Sequence, residues 1–118
     1  MQFICLIYSD PAVEPKPGTA EMGAYMQAYG EFSKLVQDDG KFVGGEALQD
    51  VETASTVSVR DGKVETMDGP FAETKETLGG FYILDCSDLD EALSYAAKIP
   101  TAAHGRVEVR PIMVFERD

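Results

Sequence analysis

The stretch Leu78-Gly79-Gly80-Phe81-Tyr82-Ile83-Leu84-Asp85-Cys86 decides how this chain folds. Its aromatic and branched residues favour a strand. Side chains alternate along a strand, so Phe81 and Ile83 take one face and Tyr82 and Leu84 the other. Both faces are apolar. The same holds near the start of the chain, in Gln2-Phe3-Ile4-Cys5-Leu6-Ile7-Tyr8. There Phe3, Cys5 and Ile7 oppose Ile4, Leu6 and Tyr8. Strands that are apolar on both faces belong in a sheet covered on both sides.

Working outward from these two strands, the period changes. Met22, Tyr25, Met26, Tyr29, Phe32, Leu35 and Val36 recur at steps of three and four and predict an amphipathic helix. Ser9 to Gly18 carries three prolines and reads as a loop, Thr19 as a helix start, and Gly40 as the residue past the helix end. Lys41 to Leu48 reads as a strand in which Gly44-Gly45 marks a bulge or a close backbone approach. Ala54–Arg60 and Lys63–Met67 alternate and are joined by Asp61-Gly62, which predicts a hairpin. Beyond Cys86, Ser87 or Asp88 caps a second helix, Asp88 with Glu91 resembling a capping box, and Leu89, Ala92, Leu93 and Ala96 form the expected buried stripe of that helix, which Pro100 ends. Arg106 to Phe115 reads as the last strand, with Val107, Val109 and Met113 on one face. The order is strand, helix, strand, hairpin, strand, helix, strand. That order predicts one α+β domain over residues 1–118, a ferredoxin-like split βαβ unit with an inserted β-hairpin. Two helices cover one face of such a sheet. A second copy packed sheet to sheet would cover the other, the alternative being a shallow, ligand-lined face left partly open, and of the two a homodimer is expected.

Composition narrows the function. The chain has 118 residues, 10 basic and 21 acidic, for a formal charge of −11. Such a balance argues against nucleic acid and anionic membrane as partners, because phosphate neutralisation needs a basic face. At 44% hydrophobic residues the chain is too apolar to be disordered. No basic segment precedes the short apolar run Phe3–Tyr8, which is too short for a signal core or a membrane span, and the cytoplasm is the expected compartment. One histidine and two separated cysteines cannot assemble a zinc site, and neither a metal nor a cofactor is expected. Cys5 and Cys86 lie in apolar runs and read as buried free thiols.

The segment Asp68-Gly69-Pro70-Phe71-Ala72-Glu73-Thr74-Lys75-Glu76, followed by Leu78-Gly79-Gly80-Phe81, resembles the DGPF motif of the YCII-related proteins. Gly44-Gly45-Glu46-Ala47-Leu48, Asp88-Leu89-Asp90-Glu91-Ala92 and Glu108-Val109-Arg110-Pro111 extend the resemblance over essentially the whole chain. The resemblance implies a dimeric α/β barrel built from ferredoxin-like subunits. It also suggests a regulatory link, since relatives with this motif are often encoded beside alternative sigma factors. The broader family has been proposed to use a His–Asp pair. Here the histidine position, eleven residues before Gly40, holds Tyr29, and the aspartate position before Pro100 holds Ile99. That pair is therefore not carried over.

The candidate site residues follow. Asp68 is either a turn aspartate bonding its own backbone or a pocket carboxylate acting as a base. His104, the one side chain that ordinarily titrates near neutrality, is either an exposed loop residue or its catalytic partner. Phe71 is expected to bury against the core and anchor the motif loop. Glu73, Lys75 and Glu76 form either a solvated charge cluster or local salt-bridge network, or ligand contacts. Arg110 should pair with Glu108 on its own strand face or recognise a carboxylate. Tyr29 is core or the lining of a cleft between helix and sheet. Two functions follow. One is a cofactor-independent protein that binds or transforms a small molecule beside the DGPF loop, with Asp68 and Tyr29 or His104 moving a proton near a carbonyl. The other is a non-enzymatic regulatory module that binds a protein partner such as a transcription factor.

Overall fold

The computed structural model describes residues 1–115. Four strands form an antiparallel sheet: β1 (Gln2–Ser9), β2 (Phe42–Ala47), β5 (Thr77–Asp85) and β6 (Arg106–Pro111). Their order across the sheet is β2-β5-β1-β6. With helices α1 (Ala20–Asp38) and α2 (Leu89–Ala96) in the two crossovers, this is the ferredoxin-like arrangement. Strands β3 (Ser55–Arg60) and β4 (Lys63–Asp68) form a separate two-stranded sheet, the inserted hairpin.

Phe3, Cys5 and Ile7 of β1 and Leu84 of β5 share one face of the sheet. They pack on Phe32 and Val36 of α1, on Ala92 and Ala96 of α2, and on Ile99 and Cys86. The ring of Tyr82 meets Phe32 edge-on at 5.0 Å, and its hydroxyl lies 2.8 Å from Ser33 Oγ, which ties α1 to β5. Ile4, Leu6, Tyr8, Phe81 and Ile83 occupy the opposite face and remain half-buried. Both cysteines are buried and unpaired, as the sequence predicts.

The local devices also match their signals. Thr19 Oγ1 accepts the Met22 N–H (3.2 Å) and starts α1. Asp88 Oδ1 accepts from the Glu91 N–H (2.9 Å), and Glu91 Oε1 accepts from the Ser87 N–H (3.1 Å). The hairpin turn holds Asp61 at φ 51° and Gly62 at φ 78°, the double left-handed geometry that Asp-Gly favours. A Cβ on Gly45 would sit 2.8 Å from the Phe81 carbonyl oxygen, and one on Gly80 would sit 2.8 Å from that of Glu46. The paired glycines let β2 and β5 approach closely around an irregular register at Phe42–Gly44.

Three expectations need correction. Of the predicted α2 stripe, Ala92 and Ala96 are buried, whereas Leu89 and Leu93 are each 47% exposed. The four residues span two adjacent rows of the helix, and only the alanine row faces the sheet. The last strand ends at Pro111, not at Phe115, and Met113 is exposed. The Ile112 N–H still donates to Gln2 O (2.8 Å), but β1 begins at Gln2 and offers nothing further to pair with. Finally, Phe71 is 84% exposed and is not buried against the core among the described residues.

The hairpin stands away from the body. Its two strands pack chiefly on each other, and every residue of β4 is exposed. The radius of gyration is 16.5 Å, against about 13.5 Å for a compact chain of this length. The two leucines give a direct test of the core. Leu84→Ala should cost about 2–5 kcal/mol in denaturant titration, because Leu84 is wholly enclosed. Leu93→Ala should stay within about 1 kcal/mol, a difference that the periodicity of the sequence alone would not give.

Candidate functional site

The end of the central strand β1 gathers the polar side chains of four segments distant in sequence. Ser9 closes β1. Asp10 then caps a short turn at Pro11–Val13 through its Oδ1 and the Ala12 N–H (2.9 Å). That turn folds the chain back, so Ser9 Oγ donates to the Glu14 carboxylate. On the far side, Pro100 opens a second short turn, Pro100–Ala103, which sets Thr101 inward. The Gly105 N–H returns to the Thr101 carbonyl (2.7 Å). A Cβ on Gly105 would lie 2.2 Å from the Tyr8 carbonyl oxygen, so only glycine permits the chain to press against the end of β1 there. This contact delivers His104 beside Glu14, with Nε2 and Oε1 3.7 Å apart and each side chain 28% exposed.

Helix α1 completes the group. Tyr25 and Tyr29 lie one turn apart on its buried stripe, with ring centroids 5.2 Å apart and nearly perpendicular. Both hydroxyls converge on Thr101 Oγ1, that of Tyr29 at 2.5 Å. A threonine hydroxyl can accept from two donors, so one buried oxygen serves both phenols. The Tyr25 ring also lies 5.7 Å from the His104 ring. Burial pushes the Tyr29 phenol well above its ordinary range, against the opposing hydrogen bond from Thr101. Burial likewise raises Tyr25, with the nearby Glu14 charge acting in the same direction. Both phenols therefore stay protonated at neutral pH, and their hydroxyls are engaged with Thr101.

The opposite face of the same sheet end carries a shallow groove of about 370 Å³ lined by Tyr8, Glu76, Arg106, Val107 and Glu108. Arg106 Nε lies 3.3 Å from Glu76 Oε1, which ties the end of the motif loop to β6.

Of the residues singled out in the sequence, the structure brings Tyr29 and His104 into one cluster. Arg110 pairs with Glu108 (Nε to Oε2, 2.9 Å), as its spacing predicts. Asp68 ends β4 with its side chain exposed, and the turn after it is held instead by backbone and Thr56 contacts. The Gly69 N–H donates to Ala54 O (2.7 Å) and Thr56 Oγ1 donates to Gly69 O (2.8 Å). Phe71, Glu73 and Lys75 are exposed, and no hydrogen bond or ion pair joins Asp68, Glu73 or Lys75 to the cluster among the described residues. The motif reaches a groove through Glu76 rather than through Asp68. Sequence reasoning missed Ser9, Glu14 and Thr101. Glu14 sat in a proline-rich loop and Thr101 in a helix-ending turn, and neither position has a periodic signal.

The YCII-related domain model matches residues 1–116. The chain belongs to the YCII-related family. An uncharacterized protein of Rhizobium meliloti (strain 1021) is 35% identical over 118 residues, covering 98% of this chain and 95% of that one. Among solved structures, 5-chloro-2-hydroxyhydroquinone dehydrochlorinase (TftG) from Burkholderia phenoliruptrix AC1100, in complex with 2,5-dihydroxybenzoquinone, aligns with a TM-score of 0.48. It is 16% identical, over 96% of this chain and 94% of that one.

In this YCII-related chain the position expected to hold the family's histidine is Tyr29, hydrogen-bonded to Thr101, and the position expected to hold its aspartate is Ile99, enclosed in the core. The imidazole and carboxylate that do meet are His104 and Glu14, reached from two different loops.

Alkaline titration tests this packing. Burial raises the Cys5 thiol from 9.0 to about 11, and the Tyr25 and Tyr29 phenols rise above 10.0. All three hold their protons more tightly folded than unfolded. Their contribution is therefore complete below pH 9.0 and is lost as pH climbs through the raised values. Denaturant stability should fall progressively above pH 9.0. Tyr29→Phe should flatten the upper part of that fall and remove the latest rise in tyrosinate absorbance.

Proposed function

We propose that this YCII-related protein binds a small uncharged carbonyl compound against the Tyr25–Thr101–Tyr29 node and moves a proton to or from the carbon beside the carbonyl. One observation carries this reading: a half-buried imidazole and carboxylate 3.7 Å apart, flanked by four hydroxyls (Ser9, Tyr25, Tyr29 and Thr101) delivered from three segments. An imidazole can take and give a proton in catalysis, and here a carboxylate lies beside it. A phenol that stays protonated can turn its one O–H from Thr101 to an oxygen on which negative charge develops. The net charge of −11, and a cluster built without lysine or arginine, favour an uncharged substrate over an anion. In this proposal His104 is the acid–base group, Glu14 its orienting partner, and Tyr25 and Tyr29 the oxygen contacts. The exposed motif residues Asp68, Phe71, Glu73 and Lys75 stand outside it.

The same proposal takes the protein to be a cytoplasmic homodimer. Two buried, unpaired thiols fit a reducing compartment, and the half-buried face carrying Ile4, Leu6, Phe81 and Ile83 fits a partner subunit.

The reaction is tested by following deuterium uptake at the activated carbon of 1,3-diones and α-hydroxyketones by NMR in heavy water. Wild-type protein should accelerate exchange. His104→Asn and Glu14→Gln should each lower the rate about 10²-fold or more while leaving the melting temperature close to that of wild type. Exchange that both variants support undiminished, or none with the wild-type protein, would refute the reading.

A further inference from the structure

The chain contains three Asp-Gly steps, Asp39-Gly40, Asp61-Gly62 and Asp68-Gly69. In each, the amide nitrogen that follows the aspartyl side chain belongs to a residue with no Cβ to hinder its approach. Such a nitrogen can attack the aspartyl Cγ and close a cyclic imide. The structure treats the three steps differently. The Gly40 N–H donates to Gln37 O (3.0 Å), and the Asp39 carboxylate accepts from the Tyr95 hydroxyl (2.7 Å). The Gly69 N–H donates to Ala54 O (2.7 Å), and Gly69 O accepts from Thr56 Oγ1 (2.8 Å). At the hairpin tip, neither the Gly62 N–H nor the Asp61 carboxylate has a hydrogen-bond partner among the described residues, and the neighbouring Arg60 donates instead to Val59 O (3.1 Å).

We propose that Asp61-Gly62 is the site at which this folded chain isomerises spontaneously, and that the product opens the hairpin. The Gly62 nitrogen bonds to Asp61 Cγ, a carboxyl oxygen leaves as water with the carboxyl and amide protons, and the imide forms. Water then adds back. Where it adds at the former backbone carbonyl, the main chain runs through Cβ and Cγ as an isoaspartyl linkage, and the former backbone carbonyl becomes a free carboxylate. One water leaves and one returns, so no other reactant is needed. Ring closure requires the tip peptide to rotate out of the left-handed turn, φ 51° at Asp61 and 78° at Gly62. Fraying allows that rotation. The two strands pack chiefly on each other, and a lone two-stranded ribbon is marginal in water. Fraying at the tip costs Gly62 no hydrogen bond, whereas each of the other steps must first release a held amide. The isoaspartyl product adds one carbon to the main chain between Arg60 and Lys63, which pair directly across the turn. Loop length sets the register of a hairpin, so the longer turn breaks that pair and loosens the strands from the tip inward.

The test ages the full chain in warm neutral buffer for several weeks and maps isoaspartate at each step by electron-transfer fragmentation of its peptides. Asp61 should convert at least about fivefold faster than Asp39 or Asp68, the population penalty of breaking one intramolecular hydrogen bond. In concentrated urea the three steps share the same local chemistry and should convert at comparable rates. Hydrogen exchange of the aged protein should quicken in β3 and β4 and stay unchanged in β1. Folded protein in which Asp39 or Asp68 converts as fast as Asp61, or in which no step converts, would overturn the site, as would an equal preference for Asp61 in urea. Isomerised protein whose hairpin amides exchange as before would overturn the effect on the hairpin.

Discussion

Strand β1 is hydrogen-bonded to β5 on one side and to β6 on the other, while Phe3, Cys5 and Ile7 project from it into the layer beneath both helices. No other strand touches so much of the molecule. Its pairing sets the register of β5 and β6, and that register decides which side chains reach the helix layer. Its last residues then fix the chemistry. Gly105 presses against the Tyr8 carbonyl, and Ser9 holds Glu14. A side chain at Gly105, or a one-residue slip of β6, would carry His104 away from Glu14. The cluster therefore depends on a backbone contact as much as on its own side chains.

The cluster is half-buried, and its groups are drawn from a strand end, two short turns and a helix. Burial keeps the phenols protonated, while the imidazole and carboxylate remain partly exposed. Thr101 is the pivot. It is enclosed, it receives both tyrosines, and its carbonyl binds the backbone of the residues that carry His104 into place. The opposite face of the same sheet end bears a charged groove, so the two sides of one strand terminus differ in chemistry although only the thickness of the sheet lies between them.

Much of this could be read in the sequence because period and punctuation are local signals. The two-sided strands at Phe3–Tyr8 and Phe81–Leu84, the Asp61-Gly62 hairpin, the Thr19 and Asp88 caps and the Glu108–Arg110 pair each reflect constraints within a few residues. The α2 stripe misled because Leu89 and Leu93 lie in a row beside the alanines, and only packing determines which row faces the sheet. The site was half-legible. Tyr29 and His104 stood out by type and place, but Glu14 and Thr101 matter only through contacts spanning most of the chain, such as Tyr29 with Thr101 at a separation of 72 residues. The motif loop drew attention through its unusual composition. Its side chains at Asp68 and Phe71 nevertheless face solvent, and only Glu76 reaches a groove.

The central claim is that His104 is held within an aromatic and carboxylate cluster at the end of β1. The chain has a single histidine, so one imidazole signal reports on it without ambiguity. Nuclear Overhauser spectra of the wild-type protein should show the imidazole ring protons close to those of the Tyr25 ring, consistent with a centroid separation of 5.7 Å, and Gly105→Val should abolish those cross-peaks. A wild-type imidazole with no cross-peak to Tyr25 and the narrow line of a freely rotating loop side chain would contradict the account.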